Sequence, residues 1–156
     1  MHDKTVCFTG HRQIEKSVLP ILAQQLETVL RQLIGEGCRY FGAGGALGFD
    51  TLAAQTVLRL REEFPHIRLI LVLPCQDQVK NWPVESVAEY RRILGLADKT
   101  VYVSQVYFPG CMQKRNRLLV DESSVCVAYC TRSTGGSAYT LDYARRRGLR
   151  VILLNP

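Results

Sequence analysis

The chain has 156 residues, 47% of them hydrophobic and 22% charged, with a formal net charge of +6. That length suits one domain with a proper core and is short for two, and the composition excludes a disordered chain. The positive balance fits an anion pocket or an ordinary basic surface better than a nucleic-acid groove, because Lys and Arg are scattered outside Arg145, Arg146, Arg147 and Arg150.

Residues 5–8 form a short apolar run stopped by Thr9 and Gly10, which predicts a buried first strand with His11 and Arg12 just beyond its end. Apolar residues at helical spacing predict a helix over 17–34, with Ser17 as N-cap, Pro20 in the first turn, and Gly35 and Gly37 as the stop. A second strand over 38–42 runs into a loop with glycines at 42, 44, 45 and 48, and a helix over 50–63 follows. Residues 68–73 are apolar on successive positions, the mark of a strand buried on both faces. A loop over 75–83 holds Gln76, Gln78 and Trp82, and then come a helix over 84–96 and a strand over 100–103. A helix over 111–122, a strand over 124–129, a helix over 136–147 closed by Gly148, and a strand over 150–154 complete the chain.

Such β–α alternation predicts a Rossmann-like α/β fold, three α/β/α layers around a mainly parallel sheet of about six strands, spanning 1–156 as one unit. In such folds ligands bind beyond the carboxyl ends of the strands, near the point where strand order reverses. Gly10, His11, Arg12, the 42–50 loop, Gln78, Trp82, residues 107–117 and residues 134–137 all follow predicted strands and are expected on that rim.

Six cysteines without a Cys-x-x-Cys pair and only three histidines make a metal site unexpected, and no cofactor is expected. Cys7, Cys75 and Cys126 lie in or beside apolar strand segments, where cysteine acts as a small hydrophobe. No leader-like or membrane-length apolar run is visible, so a reduced cytoplasmic setting is expected, with no disulfides.

The glycine loops carry the functional signal. Strand, glycine loop, helix start is the layout that gathers free backbone N–H groups at a helix's positive end, where a phosphate can sit. It occurs at Gly44 and Gly45, and again at Gly135 and Gly136. The first copy matches neither the dinucleotide fingerprint nor the Walker A loop, and it could also be a plain tight turn. Asp50 could cap its helix or accept a ribose hydroxyl. Arg12 and Arg115 are the cations expected to meet an anion, with Asn116 beside Arg115 for a base or ribose. Trp82 reads as a core or subunit-contact aromatic or as a base-stacking ring. The Arg145–Arg147 run fits charge complementing a helix C-terminus.

Together these segments have a known counterpart. Cys7-Phe8-Thr9-Gly10-His11-Arg12, Gly44-Gly45-Ala46-Leu47-Gly48-Phe49-Asp50, Leu73-Pro74 with Gln78 and Trp82, Gln113-Lys114-Arg115-Asn116-Arg117 and Gly135-Gly136 closely resemble the YpsA-like family of bacterial proteins. That family lies in the SLOG superfamily, with the LOG-type phosphoribohydrolases, the DprA DNA-uptake proteins and molybdenum-cofactor carriers. The resemblance implies a Rossmann-like fold that binds a nucleotide or nucleotide-derived ligand such as ADP-ribose, often as a homodimer.

Against the LOG-type enzymes, Met112-Gln113-Lys114-Arg115-Asn116 resembles the segment holding their arginine, which would make Arg115 catalytic. Their glycine-rich motif ends in glutamate, where this chain has the shorter Asp142 and lacks the motif's proline, third glycine and threonine. A sensor of a nucleotide-derived ligand is therefore the leading expectation. Phosphoribohydrolase chemistry through Arg115 and Asp142 is the alternative, and DprA-like DNA binding a further one. No membrane partner is expected.

Overall fold

The computed structural model describes residues 2–156. A 3-10 turn at His2–Lys4 leads into β1 (Thr5–Gly10), α1 (Leu19–Gly35), β2 (Tyr40–Ala43), α2 (Phe49–Glu63), β3 (Arg68–Leu73) and α3 (Val84–Leu96). The second half holds β4 (Lys99–Tyr102), α4 (Cys111–Asp121), β5 (Val125–Tyr129), α5 (Gly136–Arg146) and β6 (Arg150–Leu153). The six strands form one sheet in the order β4-β3-β2-β1-β5-β6, and every neighbouring pair is parallel. The expected Rossmann-like α/β architecture is what the chain adopts.

The two sheet faces follow from strand alternation. Val6 and Phe8 of β1, with Val125 and Val127 of β5, point into the core under α1, α2 and α3. Cys7, Cys126 and Ala128 point to the opposite face, under α4 and α5. The first face is the heavier: Leu22, Leu26, Leu30 and Leu33 form one fully buried ridge of α1, spaced four, four and three residues apart. Each such leucine contributes about 1.5–3 kcal/mol by burial. Among the described residues no helix is long and apolar enough to cross a membrane.

Element ends differ from the sequence expectations for local reasons. Ser17 is not the cap of α1; the N–H groups of Val18 and Leu19 both reach Glu15 O, at 3.0 and 3.1 Å, so Ser17 sits inside a turn that already satisfies the helix start. Cys38 does not open β2, because its N–H closes α1 on Leu33 O at 2.9 Å while Gly37 N–H bonds Ile34 O at 3.0 Å, a Schellman end. The same pair of bonds ends α5, from Leu149 to Ala144 O and from Gly148 to Arg145 O.

Chain order reverses between β1 and β5. From β1 the chain builds outward through β2, β3 and β4, and α4 then carries it back to β5 on the other side of β1. The crevice outside the carboxyl ends of these two strands is where this fold opens for a ligand.

Candidate functional site

A cavity of about 290 Å³ lies at that crevice. It is walled by Gly10, His11 and Arg12 after β1, by Ala46 and Asp50 at the start of α2, by Met112, Arg115 and Asn116 of α4, and by Arg132 and Thr134–Ser137 after β5. Four segments far apart in sequence thus meet because the strand order reverses here.

The wall is tightly joined. Phe49 N–H donates to His11 O at 3.0 Å, which fastens the start of α2 to the end of β1. Gly48 makes that approach possible: it adopts φ +76°, and a Cβ there would lie 2.5 Å from His11 O. His11 ties the two strand ends across the switch. Its Nε2 accepts the Thr131 N–H at 2.8 Å, so Nε2 is the unprotonated nitrogen, and the ring stands edge-on to Tyr129 at 5.2 Å. Burial, and then the Arg132 charge, push the His11 pKa down.

Of the glycine loop of residues 42–48, Ala46 lines the cavity while Gly44 and Gly45 do not. Gly44 O accepts from Arg115 Nη1, Gly45 O accepts from Gln78 Nε2 at 2.9 Å, and the Ala46 N–H donates to Asp50 Oδ2 at 3.2 Å. The Ala46 amide is thus taken by the protein's own Asp50 carboxyl. Gly44 and Gly45 therefore form the backing of the cavity rather than its lining.

Arg115 is 4% exposed, and its partners are neutral: Gly44 O, Asn116 Oδ1 at 2.7 Å from Nε, and Met112 Sδ at 3.9 Å from Nη2. Burial drives its pKa down, Asp50 opposes that shift, and Arg12 adds to it. Asp50 is buried too; burial pushes its carboxyl upward against the pull of Arg115, the Ala46 N–H and Arg12. A buried acid with a raised pKa in a cleft is the pattern of a working group. Its Oδ1 has no hydrogen-bond partner among the described residues.

The N-terminus of α5, which borders the same cavity as Arg115, is open. Gly135 occupies the N-cap position without a side-chain cap, and the first bond back to it comes from Tyr139 N–H at 2.9 Å. The N–H groups of Gly136, Ser137 and Ala138 thus have no intrahelical acceptor.

Of the residues singled out from sequence, Gly10, His11, Arg12, Asp50, Arg115, Asn116, Gly135 and Gly136 border this one cavity. Gln78 and Trp82 do not. Gln78 Nε2 is committed to Gly45 O, and Trp82 packs edge-on against Tyr90 at 5.5 Å, half-buried beside the core. Tyr107 is exposed and also lies off the cavity. Asp142 is likewise elsewhere: its side chain is 67% exposed and pairs with Arg146 at 3.1 Å, one turn along the outer flank of α5. The side chain turns outward because Leu141 and Ala144 take the buried face of that helix.

Arg132 is the cavity cation that sequence reading missed. Gly10 pairs with Tyr129 in the β1–β5 register, so Arg12 and Arg132 stand two and three residues past matched strand ends. A cation soon after each of two strands flanking a switch point was the available signal. Among the described residues, no group of three or more His, Cys, Asp or Glu is gathered that could hold a metal ion.

A family model for the YspA SLOG family matches residues 6–150. The chain belongs to that family. It is 33% identical over 138 residues to the SPbeta prophage-derived protein YoqJ of Bacillus subtilis (strain 168), covering 80% of this chain and 81% of YoqJ. Among solved structures it resembles DNA processing protein A of Helicobacter pylori, described for a single-stranded DNA binding mode, at 21% identity and a TM-score of 0.68. DNA processing protein A of Streptococcus pneumoniae gives 18% identity and a TM-score of 0.70. The YspA SLOG chain is 97% and 99% covered in these two superpositions but spans only 65% and 51% of the partner chains. At such identities the likeness is one of fold.

Proposed function

We propose that this protein binds a phosphate-bearing, nucleotide-derived ligand in the switch-point cavity and serves as a sensor or regulatory protein. The observation that carries the reading is Arg115: a guanidinium 4% exposed, with neutral hydrogen-bond partners, at the wall of a cavity that an uncapped helix N-terminus also borders. A buried charge without a contacting counter-ion is costly, and an anion in the cavity offsets that cost. The amides of Gly136 and Ser137 would hold phosphate, with Arg12 and Arg132 at the rim. The free Oδ1 of Asp50 and the amide of Asn116 suit ribose hydroxyls.

The hydrolase alternative finds no support in this geometry. It needs a carboxylate beside the glycosidic bond, and Asp142 faces solvent outside the cavity. Asp50 is the acid at the cavity wall, and its Oδ2 is committed to the loop. A second reading, single-stranded DNA, rests on the arginine rim and on the function described for the Helicobacter pylori neighbour.

A thermal-shift series against AMP, ADP, ADP-ribose and NAD tests the proposal. A ligand at a hundred times its dissociation constant adds about 2.7 kcal/mol, on the order of 5–10 °C for a chain of this size. Flat curves with every nucleotide, together with salt-sensitive retention of an oligonucleotide, would move the assignment to DNA.

A further inference from the structure

The ground beyond the cavity wall differs from the cavity itself. On the far side of the loop from Arg132 to Gly135 lies a second, more open cleft of about 640 Å³, between the outer flank of α5 and the ends of β5 and β6. Arg132, Thr134 and Gly135 line both spaces, so the two are separated by one loop rather than by the body of the protein. The loop is braced from this side by Cys130 Sγ, which lies 3.2 Å from Arg132 O.

The second cleft is bordered by an exposed tyrosine, an exposed leucine, a cation, and the Asp142 carboxylate that pairs with Arg146. Tyr139, in the first turn of α5, is 42% exposed, and among the described residues its ring stacks on no other ring and its hydroxyl has no partner. Leu153, which lines the same cleft, is 46% exposed. Arg145 borders the same cleft, and among the described residues it has no ion-pair partner, unlike Arg146 and Arg147 beside it. Tyr139 stands one turn from Gly136 and lines the same cleft as Gly135, the residue at the helix start. An unpaired aromatic face next to arginines is what stacks a nucleobase beside its phosphate.

We infer that the ligand is a dinucleotide, two nucleosides joined through a pyrophosphate. Its pyrophosphate lies over the Gly135–Ser137 ridge, one nucleoside enters the switch-point cavity, and the second base stacks on Tyr139 with Arg145 alongside. This rests on the nucleotide reading given above and adds to it a second base site.

The test compares ADP with diadenosine diphosphate, which share the pyrophosphate and differ by one nucleoside. Calorimetric titration of the wild-type protein should give the dinucleotide roughly tenfold tighter binding. Tyr139→Ala should erase that preference and leave the ADP affinity unchanged, whereas Tyr139→Phe should keep it. Tyr139 is exposed, so neither change threatens the fold. Equal affinity for the two ligands in the wild type, or an equal loss of both in Tyr139→Ala, would overturn the second site and leave the first standing. Failure of both ligands to bind would remove the nucleotide reading and this inference with it. Binding of a short oligothymidylate that is lost in Tyr139→Ala, without any dinucleotide preference, would assign the cleft to single-stranded DNA instead.

Discussion

Arg115 and Asp50 approach one another across the Cα of Gly44. A Cβ at that position would lie 2.6 Å from Arg115 Nη1 and 2.8 Å from Asp50 Oδ2, so the glycine holds open the gap through which the two buried charges influence each other. Gly44→Ala would drive the guanidinium off Gly44 O. The expected result is a loss of about 1–3 kcal/mol of stability, as for other overpacked sites, with nucleotide affinity down at least tenfold on the order set by a misplaced charged donor. Chemical denaturation and titration of the same preparation check both, and unaltered affinity would show that Arg115 takes no part in binding.

The same relationship sets the outcome at Arg115 itself. Arg115 is buried and bonded to Gly44 O, which Arg115→Met would leave without its donor. A cost of about 1–3 kcal/mol follows from the orphaned carbonyl, and Asp50 loses the charge that most favours its ionised form. Asp50→Asn should therefore cost less in the Arg115→Met background than in the wild type. A double-mutant cycle by urea denaturation measures that coupling; strict additivity would mean that the two charges do not influence each other.

How far the sequence foretells this arrangement depends on range. The run at 68–73 reads as a buried parallel strand and is β3, since continuous apolar residues on both faces admit few other structures. Strict alternation then makes the switch point legible, and with it the convergence of Gly10, Arg12, Arg115 and Gly136. What stays hidden is orientation. Glycines at 44 and 45 suggest amides facing a phosphate, yet Arg115 and Gln78, 71 and 33 residues away, reach in to take their carbonyls. Asp142 illustrates the same limit: motif alignment puts an acid near the ligand, while the buried stripe of Leu141 and Ala144 turns it to solvent.

Asp142 provides a test that separates binding from hydrolysis. Among the described residues its one ion pair is the exposed one with Arg146, of the i to i+4 type worth about 0.3–0.5 kcal/mol. Asp142→Asn is expected to change stability within about 0.5 kcal/mol and to leave ADP affinity and any base release untouched. Base release from a nucleoside monophosphate that disappears in this variant would restore the hydrolase reading, since no structural cost could explain it.

His11 makes the strand-end clamp sensitive to pH. The folded protein needs its Nε2 unprotonated to accept the Thr131 N–H, and burial followed by the Arg132 charge lowers its pKa below the ordinary value of 6.5. Between that value and the lowered one, the unfolded chain binds the proton and the folded chain does not. The stability contributed by neutral His11 is thus fully present above about pH 6.5 and is lost as pH falls through the unfolded value toward the folded one. Urea midpoints taken from pH 7.5 down to 5.5 should fall in the wild type, and the slope should flatten in His11→Gln, which keeps an acceptor but cannot titrate. Parallel slopes in the two proteins would place the sensitivity on other groups. Because the clamp joins Gly10–Arg12 to Thr131 and Arg132, protonation of His11 should also loosen the cavity wall, so nucleotide affinity in the wild type should weaken over the same window.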